Sequence, residues 1–133
     1  MASIHRDISI NAPAADVWDA VRDFGAVHRR LAPGFALDAR LDGDARIVTF
    51  ANGNVAREVL VDCDEARRRL VYAIVGERVT HYSASVQVFD AGPGRSQVNW
   101  IVDVLPNDIA PYLSAQMDLG VLAMQKAFVG TTS

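Results

Sequence analysis

Cysteine occurs once in this chain, at position 63, so no internal disulfide can form and a reducing, cytoplasmic setting is expected. Cys63 reads as a small half-buried residue near a strand end rather than a nucleophile. Positive charge is nowhere concentrated. There are 13 Lys and Arg against 16 Asp and Glu, a net charge of −3. The densest basic cluster, Arg67-Arg68-Arg69, follows Asp64 and Glu65 in a turn and reads as a solvated, locally neutralised face. Without a basic footprint, nucleic acid is not an expected partner. No apolar run approaches the ~20 residues of a membrane span, so membrane insertion is not expected. The first residues alternate apolar and polar and carry no signal-peptide core. His5, His28 and His81 fall on three separate elements with no carboxylate or cysteine at ligand spacing, which argues against a metal site. No glycine-rich phosphate loop opens a helix, because Ala91-Gly92-Pro93-Gly94 joins two strands. No serine sits in a nucleophile-elbow pattern. No cofactor is implied.

What remains is an ordinary globular composition: half the residues are hydrophobic, and 133 residues are enough for a real core in one domain, residues 1–133. Ile4 to Ile10 alternates, with Ile4, Arg6, Ile8 and Ile10 on one face. Pro13 suits the first position of a helix whose apolar stripe is Val17, Trp18, Val21 and Phe24, ended by Gly25. A second short helical piece runs from Ala26 to Leu31, before Pro33-Gly34. From Phe35 to Leu105 the pattern is six strands and turns, with Asp42-Gly43-Asp44 and Asn52-Gly53-Asn54 as tight-turn signals.

The last two strands, Thr80 to Phe89 and Gln97 to Leu105, predict their own register. If Val88 opposes Val98, then Val86 opposes Trp100, Ala84 opposes Val102 and Tyr82 opposes Val104. All eight are apolar or aromatic and share a face, while Ser83, Ser85, Gln87, Asn99 and Asp103 share the other. An antiparallel sheet with one apolar face, curved around one long helix, assembles these pieces economically.

That helix is predicted over Asp108 to Phe128. Ser114, Asp118 and Gln125 form one face, natural solvent contacts. The opposite stripe holds Tyr112, Gln116, Gly120, Ala123 and Ala127. Close packing would fill such a stripe with large side chains. Small ones imply open space over the sheet, and so a ligand cavity.

Element order and residues together resemble the START-like / Bet v 1-like superfamily, which includes the birch-pollen allergen type, bacterial polyketide cyclase/dehydrase and lipid-transport proteins, and plant abscisic-acid receptors. The resemblance covers nearly the whole chain. It is carried by Ala12-Pro13 with Val17-Trp18, by Asp23-Phe24-Gly25, and by Arg57-Glu58 six residues before Asp64. Leu70, Tyr72, His81-Tyr82-Ser83, Trp100 and Pro106 complete it. It implies an α+β helix-grip fold: a seven-stranded antiparallel sheet wrapped around the long C-terminal helix, two short helices after the first strand, and a hydrophobic cavity between sheet and helix.

Within that frame the expected cavity residues are Tyr72, Tyr82, Ala84, Trp100, Gln116, Gly120 and Ala123. Glu58 projects inward if it shares a face with Leu60 and Tyr72. The other face, with Val55, Arg57, Val59 and Val61, is as apolar, so either face can be the buried one. In an apolar pocket Glu58, or Tyr82, could move a proton. Arg6 could pair with an anionic ligand group or with Glu58, or simply snorkel. The turns at Asn52-Gly53-Asn54 and at Gly76 to Val79 are expected to flank the mouth. Three functions compete: a carrier of a hydrophobic small molecule (lipid, polyketide or related metabolite), a polyketide cyclase/dehydrase-type enzyme using Glu58 or Tyr82, and a cochaperone-like interaction module. Fold alone does not choose among them. Either a monomer or a homodimer is compatible with the sequence.

Overall fold

The computed structural model describes residues 1–76 and 78–128. Seven strands form one antiparallel sheet: β1 (Ala2–Ile10), β2 (Ala36–Asp42), β3 (Ala45–Phe50), β4 (Val55–Asp64), β5 (Arg69–Ile74), β6 (His81–Asp90) and β7 (Ser96–Leu105). Their order in the sheet is β1-β7-β6-β5-β4-β3-β2. Helix α1 (Ala14–Arg22) follows β1, and helix α2 (Ala110–Ala127) follows β7. This is the helix-grip fold expected from the sequence.

The β6–β7 register is the predicted one, with Val88 opposite Val98, Val86 opposite Trp100 and Tyr82 opposite Val104. Period-two burial along both strands puts that face in the core. Register shifts in β2 between Ala36 and Asp38, and in β4 between Leu60 and Asp62, mark bulges. Bulges add local twist, which lets the outer strands curl toward α2.

Helix α1 begins one residue later than its sequence signal. Pro13 is the residue before the first turn and gives its carbonyl to the amides of Asp16 and Val17. Its inward stripe is Val17, Trp18 and Val21. Phe24 lies beyond it, in a short 3-10 turn (Phe24–Ala26) that runs into one π-helical turn (Val27–Leu31). Trp18 donates from its indole nitrogen to Glu65 at 2.8 Å, tying α1 to the β4–β5 turn.

One face of α2 differs from expectation. Ser114 and Asp118 do not simply meet solvent: both accept hydrogen bonds from Arg6 of β1, at 2.6 and 2.8 Å. Gln125 donates to the Ser9 carbonyl at 3.3 Å. The polar face of α2 therefore clasps the free edge of β1, where an unpaired strand offers donors and acceptors. Arg6 is consumed by this clasp rather than by Glu58. The outward face of α2 instead carries apolar residues, Leu119 and Leu122, both 53% exposed.

Candidate functional site

A cavity of about 670 Å³ lies between the sheet and α2. Its walls come from β2 to β7, from the π-helical turn, and from α2 as far as Met124. Val48, Leu70, Val86, Met117 and Met124 are among the apolar liners, and all are buried. Exposed liners mark the mouth. Among them are Val55, Val75 and Tyr112, together with Asn52, Gly53, Arg57, Gly76 and Arg78. Both turns expected at the mouth, Asn52-Gly53-Asn54 and the segment from Gly76 to Val79, contribute residues there, with Glu77 outside the described residues.

Four of the seven expected ligand contacts meet in this space: Tyr72, Tyr82, Trp100 and Gln116. Three do not. Ala84 and Ala123 are packed in the core, without reaching the cavity wall. Gly120 is a correction to the reading of the small-residue stripe. A Cβ there would stand 2.9 Å from Cζ3 and 3.0 Å from Cη2 of Trp100, and 3.4 Å from Cε2 of Phe35. Glycine does not leave open space at this point; it admits the edge of an indole against the helix backbone.

Glu58 faces inward. Pairing of β3 with β4 sets it opposite Arg46, and pairing of β4 with β5 sets it opposite Ile74. Arg46 Nε donates to Glu58 Oε1 at 2.6 Å, and both residues are 4% exposed. Arg46 Nη1 also donates to the Phe24 carbonyl at 3.2 Å. Its guanidinium carbon lies 4.1 Å from the Phe24 ring centre and 5.1 Å from that of Tyr72. Carboxylate, carbonyl and two aromatic rings thus enclose one cation, the surroundings a buried guanidinium requires. Arg57, the neighbour that might have been inward, is exposed and pairs with Asp42.

Arg46 is the site residue that the sequence reading missed. The signal was present in the Asn52-Gly53-Asn54 turn: closing it as a hairpin that pairs Thr49 with Val55 also pairs Arg46 with Glu58.

Burial pushes the Tyr72 phenol well above the ordinary tyrosine value, and Glu58 adds to the effect. Burial does the same to Tyr82, reinforced by Tyr72 and Glu58. Both are therefore neutral hydrogen-bond donors. The Trp100 N–H sits near enough to Tyr72 to ease that rise slightly, yet it forms no hydrogen bond of normal geometry and is buried without a partner. An unsatisfied buried donor costs about 1–3 kcal/mol. Cys63 lies away from the cavity; burial raises its thiol, the opposite of activation. Among the described residues no group of three His, Cys, Asp or Glu is arranged to hold a metal ion, and no helix is long and apolar enough to cross a membrane.

Residues 1–129 match the family described as polyketide cyclase / dehydrase and lipid transport, and the chain belongs to that family. No curated protein matches it. Among solved structures, a protein from Thermobifida fusca is 30% identical, with 96% of this chain covering 91% of that one at a TM-score of 0.76. The XoxI protein of Bacillus cereus is 21% identical, with coverage of 100% and 99% and a TM-score of 0.85. The di-domain ARO/CYC BexL of the BE-7585A biosynthetic pathway is 17% identical; the whole chain matches 48% of it at a TM-score of 0.83. At these identities the last two establish the fold alone.

Proposed function

We propose that this protein holds a hydrophobic small molecule, a lipid, polyketide or related metabolite, in the cavity between sheet and α2. One observation carries the reading. The space of about 670 Å³ has walls that are largely aliphatic and aromatic, and it is also lined by phenol, indole and amide side chains. Apolar walls supply affinity by removing ligand surface from water, and a few fixed polar groups orient what is held. Membership of a family that includes lipid-transport proteins supports the same class of ligand. A cochaperone-like module would need no open cavity, so the open cavity favours binding.

Uptake of the neutral dye Nile red tests the proposal, with Ala56→Trp as the control. Ala56 shares the inward face of β4 with Glu58 and lines the cavity. An indole there enters empty space rather than packed core. Dye affinity should fall about tenfold or more while thermal stability holds. Wild-type protein that takes up no apolar dye saturably would sink the reading.

An enzyme of the cyclase/dehydrase type is the second reading, favoured by the presence of the Glu58 carboxylate and Tyr82 phenol in one largely apolar space. Such an enzyme would lose turnover of a polyketide-like ketone on Glu58→Gln, with uptake of neutral dye retained. Unchanged turnover would remove Glu58 from that role.

A further inference from the structure

We infer that Glu58 fixes the charge class of the ligand: by neutralising Arg46 in the cavity wall, it makes the interior select an uncharged molecule bearing a hydrogen-bond acceptor, such as an aryl ketone, over a carboxylate. The inference rests on the binding reading above and deepens it. Among the described residues, four charged ones line the cavity: Arg46, Arg57, Glu58 and Arg78. Arg57 and Arg78 are exposed at its rim, where water screens them, and Arg57 is already taken by Asp42. Only Arg46 and Glu58 are buried, and they pair with each other. The interior therefore carries no net charge. An anionic ligand group would lose its hydration there and find its one buried counter-charge already occupied.

The groups that remain are donors. Trp100 Nε1 is unpartnered but shut off from the open space, beside Tyr72. The Tyr82 phenol has no hydrogen-bond partner among the described residues, and burial keeps it protonated. Tyr72 stands between them and Arg46, its ring against the guanidinium. A carbonyl oxygen on a flat apolar body can accept from the Tyr82 hydroxyl without bringing a charge into the cavity.

Three naphthalenes of nearly equal size separate the possibilities at pH 7: 2-acetylnaphthalene, 2-naphthoate and 2-ethylnaphthalene. Affinities are read by calorimetry on the full chain. Wild-type protein should bind the ketone at least about tenfold more tightly than the carboxylate. Glu58→Gln frees Arg46 and should close most of that gap by strengthening 2-naphthoate, with the ketone changed little. Glu58→Asp keeps the charge but lengthens the pair, so it should shift the ratio in the same direction by a smaller factor; it serves if the Gln variant does not fold. Tyr82→Phe, which removes only the hydroxyl, should weaken the ketone several-fold and leave 2-ethylnaphthalene nearly unchanged. Wild-type protein that binds 2-naphthoate as tightly as the ketone overturns the inference. So does a ratio that neither Glu58 variant moves. Failure to bind any of the three overturns instead the binding proposal on which this one rests.

Discussion

Arg46 and Glu58 face each other across neighbouring strands, Nε to Oε1 at 2.6 Å, with their side chains 5% and 6% exposed. Burying the pair costs desolvation of both ions, so it is not a source of large net stability. Removing one partner is a different matter, because it strands a buried charge. Glu58→Leu should therefore destabilise the fold by about 3–5 kcal/mol. Arg46→Leu should be similarly harmful, and the double variant much less harmful than the sum. Urea unfolding of the four proteins forms the cycle. Additive losses would mean that the pair is not coupled as its geometry requires.

Tyr72 and Tyr82 give the fold an alkaline limit. Both phenols have folded-state pKa values raised above the ordinary 10.0, by burial first. A group of this kind holds its proton more tightly when folded. Its contribution is complete below pH 10 and is lost as pH rises above it, where the unfolded chain releases the proton and the folded one does not. Each phenol should account for up to about 1.4 kcal/mol of stability lost per pH unit. Urea midpoints from pH 8 to 11 test this. Tyr72→Phe and Tyr82→Phe should each flatten the decline by about one proton, and an unaltered slope in both would refute it.

The sequence spoke clearly where two independent patterns had to agree. Alternation and turn chemistry both constrain the β6–β7 hairpin, and its register followed. For Glu58 the periodicity was ambiguous, because Val55 and Val61 make the outer face of β4 look buried although both are about 60% exposed. Val55 lines the cavity mouth, so one of the misleading residues belongs to the site itself. Arg46 carries no inward signal of its own, because an arginine within a strand normally points to water. Gly120 misleads for another reason. Its neighbour Trp100 arrives from a different element, and helix periodicity carries no information about what the sheet places opposite a small residue.

That misreading yields its own test. Gly120→Ala should improve helix propensity by roughly 1 kcal/mol. The new Cβ would meet Trp100 at 2.9 Å, and a wedged indole gives way poorly. Overpacking typically costs about 1–3 kcal/mol, so a net loss is expected, and a larger one for Gly120→Leu. In a Trp100→Phe background the smaller ring removes the clash, and Gly120→Ala should turn neutral or stabilising. Thermal melts of the four proteins decide. A Gly120→Ala gain in the wild-type background would restore the idea of open space beneath this turn of α2.

The turn at the mouth offers the last test. Tyr112 Oη accepts hydrogen bonds from Asn52 Nδ2 at 2.7 Å and Asn54 Nδ2 at 2.6 Å. Asn52 Nδ2 also reaches Gln116 Oε1 at 3.3 Å. Between the two asparagines Gly53 holds φ at +89°, a conformation that favours glycine. The β3–β4 turn is thereby latched to the start of α2 across an opening that all these residues line. Tyr112 is 43% exposed, so losing its hydroxyl should change stability by less than about 1 kcal/mol. Exchange of a ligand through this opening requires the latch to part. If it is closed in both the empty and the filled protein, Tyr112→Phe lowers the same barrier from both sides. Association and dissociation of Nile red in stopped flow should then both quicken, by a common factor of about three to ten, with Kd nearly unchanged. Faster dissociation alone would instead make Tyr112 a direct ligand contact, and unchanged rates would mean that the opening lies elsewhere.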